Sequence, residues 1–273
     1  MKDKVLVSIA HSGVATVTLN NPDKHNAFDD DVIRLLTQSF VTLASNEQVK
    51  IVILASTGKS FCAGADLGWM KRMAEYSYEE NLADSNALAA LFKTLNFMPQ
   101  PTIAKVQGAA FGGAVGLAAC CDIVIASNKA SFCLSEVKLG LIPATISPYV
   151  VNAIGLRASR RYFITAERFF AEKAQQLGLV SEVVEAELLD NAVETMVSTI
   201  MNNGPTAVQA AKKIAFDVAY QDINETLIQD TSERIARIRV SEEGQEGLTS
   251  FFEKRPANWS FKNFENNTVS EEK

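Results

Sequence analysis

Residues 108–122 read GAAFGGAVGLAACCD, a run of small side chains with no charge before Asp122. A helix built from them has no polar face for water, so it can exist only where neighbouring elements press on it from all sides. At this length it falls short of the roughly 18 apolar residues that span a bilayer, so a tightly packed internal helix is expected. The pair Gly112-Gly113 stands where that helix would begin. A helix start leaves its first amide N–H groups without intrahelical partners, and glycine lets a ligand approach the backbone, so the turn can receive developing negative charge.

One acid follows on the far side of a short strand, Glu136 in ASFCLSEVKLGLIP. Phe132, Leu134, Val137, Leu139 and Leu141 crowd it, and such a setting raises a carboxyl pKa toward the range useful for proton transfer. Each feature also has a plainer use. A glycine turn packs helix against strand, and a carboxylate caps a turn or pairs with Lys138.

The flanking pattern is α/β. Val5, Val7 and Ile9, then Val14, Val17 and Leu19, alternate around Ser12-Gly13 and predict an edge hairpin. Asp29, Asp30 and Asp31 open a helix whose apolar positions are Val32, Leu35, Leu36, Phe40 and Leu43. Lys24 and His25 lie in the loop before it. Strands are expected at 51–54, 102–106 and 123–126. A polar stretch with Trp69, Met70 and Met73 precedes a helix at 78–97 with Leu82, Leu88, Leu91, Phe92 and Leu95 as its stripe, ended by Pro99 and Pro101. Strand, turn, helix and strand recur at least three times, which argues an α/β fold with function at the loops. Helices are expected at 157–165, 171–177, 187–203, 206–220, 224–240 and 243–254, interrupted by one strand at 179–184. The division that follows is an α/β core at 1–195, a helical region at 196–260 and a flexible tail at 261–273.

Composition excludes several functions. A hydrophobic content of 47% suffices for a core, and a formal net charge of −6 argues against nucleic acid as a partner. Cys62, Cys120, Cys121 and Cys133 lack metal-ligand spacing and read as reduced, buried thiols; no metal site is expected. The N-terminal stretch enters strand pattern at once, without a signal or transit segment, so the cytoplasm is the expected compartment and no membrane partner is expected.

A second glycine turn, FCAGAD at 61–66, could place a backbone N–H on the same acyl oxygen as the first. Two such donors stabilise an enolate beside a thioester carbonyl. Neither turn is a G-x-G-x-x-G dinucleotide fingerprint or a P-loop.

Taken together and in order, PDKHNAF, FCAGADL, residues 108–122, SEVKLGLIP, LGLV and EGLTSFFEKRPANW resemble the crotonase (enoyl-CoA hydratase/isomerase) superfamily over nearly the whole chain. The wording GADLGWMKRMAEYSYEENLAD and AAFGGAVGLAACCD most resembles bacterial 3-methylglutaconyl-CoA hydratases. The resemblance implies a spiral of repeated ββα units with a helical C-terminal trimerisation region, in a trimer or a dimer of trimers. It places oxyanion-hole amides on Ala65 and Gly113 and the acid/base on Glu136. Positions for the CoA thioester fall on Lys24, Ala27, Ala63, Gly64, Asp66, Leu67 and Gly112, and on Phe252 and Lys254 of the C-terminal helix. CoA is part of the substrate, and no separate cofactor is implied.

One position departs from the pattern. Many hydratases of this kind carry two glutamates, and the first of these positions is Gly116 here. A single acid is also the pattern of isomerases that shuttle a proton between C2 and C4. Three readings stay open: hydration of an acyl group with its own carboxylate, for which Lys71, Arg72 or Tyr78 would be partners; Δ3,Δ2-enoyl-CoA isomerisation; and acyl-CoA binding with weak catalysis.

Overall fold

The computed structural model describes residues 3–260, so the tail expected at 261–273 lies outside the described residues. The chain forms two compact units, one of Met1–Met98 with Thr102–Val193, the other of Pro99–Pro101 with the residues from Glu194 onward.

The first unit opens with the hairpin of β1 (Val5–Ile9) and β2 (Val14–Leu19), antiparallel with Val7 opposite Val17. Helix α1 (Asp30–Ala44) starts at Asp29, whose Oδ1 accepts from the Val32 N–H at 2.9 Å. Then come β3 (Ile51–Ser56), α2 (Leu67–Met73), α3 (Tyr78–Asn96), β4 (Thr102–Val106), β5 (Ala109–Phe111) and α4 (Gly113–Cys120). After these follow β6 (Ile123–Ser127), β7 (Ser131–Cys133), α5 (Ser147–Thr165), β8 (Phe169–Phe170), α6 (Ala171–Gln176) and β9 (Glu182–Val184).

The strands form a six-stranded sheet, β1-β2-β3-β4-β6-β9, and a three-stranded one, β5-β7-β8. Pairing in the large sheet is parallel from β2 onward. Successive strands go to different sheets before each helix: β4 to the large sheet, β5 to the small one, then α4; β6 to the large, β7 to the small, then α5. Isolated bridges Phe28↔Ala65 and Cys62↔Ala110 repeat the pattern after β2 and β3. Four turns of a ββα spiral result, as the resemblance implied. The strands of the large sheet between β2 and β6 are mostly buried, as expected of central parallel strands.

Helix α4 buries Ala114, Val115, Gly116, Leu117, Ala118 and Cys120, the outcome its lack of a polar face requires. Helix α1 buries Ile33 instead of Leu35, which is only half-buried. On α3 the stripe narrows to Leu91, Phe92 and Leu95, and Leu82 is 47% exposed, since only the C-terminal half of this helix packs on the core.

Several expected boundaries move. The stretch holding Trp69 is helix α2, because Asp66 caps it and buried Trp69 anchors it. Helix α5 begins ten residues early, with Pro148 in the first turn, where a missing N–H costs nothing, and it is broken at Gly155 (φ 74°, ψ 158°). The strand expected at 179–184 shortens to β9, and β8 carried no sequence signal at two residues. All four cysteines are free, but Cys121 is half-exposed. Burial pushes the Cys62 thiol up to about 12.

Helix α7 (Leu189–Met201) crosses the division between the units. The second unit is helical: α8 (Pro205–Val218), α9 (Glu225–Val240) and α10 (Glu242–Glu253). Gly204 offers α8 no side-chain cap, and Glu243 of α10 supplies one, accepting from Thr206 N–H at 3.0 Å and Ala207 N–H at 2.8 Å. Arg234 joins α9 to α8 through Asp217 at 2.5 Å. Among the described residues, no helix is long and apolar enough to cross a membrane.

Candidate active site

Four loop segments at the small sheet bond to one another in sequence. The Phe28 N–H donates to Gly64 O at 2.7 Å, and the Asp66 N–H donates to Phe28 O at 2.6 Å. The Cys62 N–H reaches Ala109 O and the Phe111 N–H reaches Cys62 O, both at 3.0 Å, and the Gly112 N–H donates to Cys133 O at 2.8 Å. Residues 25–28, 62–66, 109–113 and 133–136 are thereby fixed side by side. Gly64, at φ +90°, has no room for a side chain: a Cβ there would stand 2.9 Å from Phe111 O.

The pairing leaves particular amides over. Gly112, expected to offer a free N–H, spends it on Cys133. The Gly113 N–H, at the start of α4, and the Ala65 N–H have no acceptor among the described residues. Gly113 must be glycine because Phe28 packs on it; a Cβ would lie 2.7 Å from Phe28 Cε2. Phe28 was therefore missed from the sequence, its partner being distant in the chain.

Glu136 opens a 3-10 turn at Glu136–Leu139. Its Oε1 lies 3.2 Å from where a Cβ on Gly112 would stand, so the carboxylate adjoins the start of α4. Its Oε2 is buried without a hydrogen-bond partner. Burial raises its pKa above the ordinary carboxylate value, and no second carboxylate contributes to the shift. The surroundings differ from those expected: Leu139 and Leu141 are 60% and 52% exposed, so those leucines do not enclose the acid, whose Oε1 instead adjoins Gly112. No ion pair with Lys138 occurs among the described residues.

The first loop is a built structure, unlike a solvated turn. His25 and Asn26 take left-handed backbone at φ 51° and 57°, which asparagine tolerates better than most residues. The Asn26 side chain is buried; it accepts from the Asn21 N–H at 2.8 Å and donates to Thr57 O at 2.8 Å and Ser60 O at 2.9 Å. His25 Nδ1 is 3.0 Å from Ser60 Oγ, and the Ala63 N–H donates to His25 O at 3.0 Å. Ala27 is buried beside them.

Lys24 Nζ pairs with Asp66 Oδ2 at 2.8 Å, and this bond holds the Asp66 carboxyl below its ordinary pKa. Asp66 Oδ1 accepts from the Gly68 and Trp69 N–H groups, so one side chain caps α2 and ties two loops together. Leu67 projects outward, 81% exposed. Of the residues considered for a substrate carboxylate, Arg72 is held by Asp30 at 2.5 Å, and Lys71 and Tyr78 face solvent. Phe252 and Lys254 belong to the second unit, the first 76% exposed, the second ending α10 in left-handed backbone. Among the described residues, no cluster of His, Cys, Asp and Glu could hold a metal ion.

Two unpaired amides and one half-buried acid offer groups that can stabilise a developing oxyanion and move a proton. The family model for enoyl-CoA hydratase/isomerase matches residues 10–262. A short-chain-enoyl-CoA hydratase of Clostridium acetobutylicum is 32% identical over 248 residues, 89% of this chain and 92% of its own. A 2,3-dehydroadipyl-CoA hydratase of Escherichia coli K12 is 29% identical, over 89% and 93% of the two chains. The crystal structure of an enoyl-CoA hydratase from Shewanella pealeana superposes with a TM-score of 0.90 at 49% identity, covering 94% of this chain and 96% of that one. With the ββα spiral, the glycine turns and the family match over nearly its full length, the chain belongs to the enoyl-CoA hydratase/isomerase family and is an enzyme acting on acyl-CoA thioesters.

Proposed function

We propose that the chain hydrates a branched enoyl-CoA that carries its own carboxylate, of the 3-methylglutaconyl-CoA kind. The observation that carries this reading is the lone acid: Glu136, half-buried and with one buried, unpartnered oxygen, has no second carboxylate influencing it. A substrate that brings a carboxylate to its reacting carbons supplies a polar group the protein lacks. The dehydroadipyl-CoA hydratase relative, by its name, works on an acyl group of that dicarboxylic type.

In this reading the thioester oxygen lies between the Ala65 and Gly113 N–H groups. Glu136 takes a proton from water as the water oxygen bonds to C3, and the C2–C3 π electrons move onto the thioester as an enolate. The same carboxyl then returns the proton to C2, and the enolate collapses to the hydroxyacyl thioester. Lys24, Ala27, Ala63, Gly64, Asp66, Leu67 and Gly112, the first-unit positions that the family resemblance assigns to CoA, hold the CoA portion. Isomerisation is the second reading, favoured by the same lone acid, since one carboxyl can carry a proton between C2 and C4.

Purified protein mixed separately with 3-methylglutaconyl-CoA, crotonyl-CoA and 3-hexenoyl-CoA, followed by enoyl absorbance and product mass, decides between them. Hydration predicts gain of water, fastest on the first substrate. Migration of the double bond in 3-hexenoyl-CoA without a mass change would assign the isomerase instead. Turnover of none would leave only thioester binding.

A further inference from the structure

Gly116 sits on α4 three residues beyond Gly113, so by helical spacing the two share a face. Its surroundings are closed. A Cβ at 116 would stand 2.3 Å from Ile146 Cγ2, 2.9 Å from Ile146 Cβ and 3.0 Å from Phe92 Cε1. Ile146 is only 2% exposed and caps the start of α5, so its side chain is wedged between that helix and α4. No side chain of any kind fits at 116 while Ile146 is present. The clash with Phe92 is milder, within what a ring relieves by shifting a few tenths of an ångström.

We propose that Ile146 is a specificity-determining residue: by filling the space over Gly116 it holds the site to a single protein carboxylate. Water addition needs a proton taken from water and a proton given to carbon. With α4 closed by Ile146, Glu136 must perform both, helped only by polar groups the acyl chain brings. Ile146 thereby favours acyl groups with their own carboxylate over plain ones. This rests on the hydratase reading above.

The geometry also selects the variants. Ile146→Ala would keep the Cβ at 2.9 Å, so Ile146→Gly is required, and glycine is tolerated where a helix begins. The steric half is read by thermal melting. Gly116→Ala should lower the melting temperature by several degrees in the natural background and by much less beside Ile146→Gly; equal losses in both backgrounds would overturn the proposal. The functional half is read as the kcat/KM ratio of crotonyl-CoA to 3-methylglutaconyl-CoA. In Gly116→Glu with Ile146→Gly this ratio should rise about tenfold or more, and a folded double variant with the natural ratio would overturn the proposal. Should the double variant not fold, the melting comparison of Gly116→Ala in the two backgrounds decides, and equal losses there count against Ile146. If the natural protein hydrates neither substrate, the hydratase reading fails, while the melting comparison still judges the Ile146–Gly116 pair.

Discussion

Glu136 is costly to keep. Burial raises its pKa above the ordinary carboxylate value, so the folded state binds its proton more tightly than the unfolded chain does. The favourable contribution of the protonated form is complete below the unfolded pKa and is lost as pH rises through the folded one. At neutral pH the ionised carboxylate therefore destabilises the fold. Glu136→Gln, neutral and of the same shape, should melt above the natural protein at about pH 8 and converge with it toward about pH 4. It should also lose about 10²- to 10⁴-fold in turnover of whichever enoyl-CoA the enzyme accepts. Calorimetry across that pH range with parallel kinetics checks both, and near-full turnover by the variant would remove Glu136 from the chemistry. Asn26 shows the opposite balance. Its three hydrogen bonds satisfy buried backbone groups of two loops, so Asn26→Ala should cost about 1–3 kcal/mol in urea denaturation. At this scale the sequence made Glu136 legible through its solitary place in an apolar run. Asn26, Phe28 and Ile146 were not legible, because each acts on a partner that only folding brings near.

Helix α2 shows what holds a short element beside the site. At seven residues it is far below the length at which an isolated helix persists. Two side chains fix it: Asp66 at its start, and Trp69, buried and donating from Nε1 to Asp84 Oδ1 at 3.1 Å. Asparagine caps a helix about as well as aspartate, whereas alanine does not cap. Asp66→Asn should therefore lose only the Lys24 pair, worth at most about 1 kcal/mol because Lys24 is largely exposed. Asp66→Ala should lose about 1 kcal/mol more through the cap. Denaturant titration separates the two, and equal losses would mean that the cap does not hold α2. The sequence read this stretch only as polar, with no element assigned, because Lys71 and Arg72 mask its one buried position. By contrast, α4 was legible, since a run without a polar face has no alternative to burial.

Taken whole, the molecule has an α/β spiral and a helical unit that exposes several large apolar side chains. Tyr220, Ile223, Phe251 and Phe252 are 89%, 85%, 75% and 76% exposed. Exposed apolar side chains in such number mark an association surface more often than a solvated one. We propose self-association through this unit: light scattering should give a mass of three or six times the 29.7 kDa chain, and a monomer mass would refute it. The local pattern of the sequence determined the α/β character of the first unit, the helical character of the second, the buried glycine-rich helix and the single acid, because those depend on periodicity and composition within short windows. Only the tertiary structure decided that Gly112 spends its amide on Cys133, that Glu136 lies against Gly112 with one oxygen buried, and that Ile146 closes Gly116. Those outcomes depend on how parallel strands far apart in the chain align, and such register leaves no trace in local periodicity.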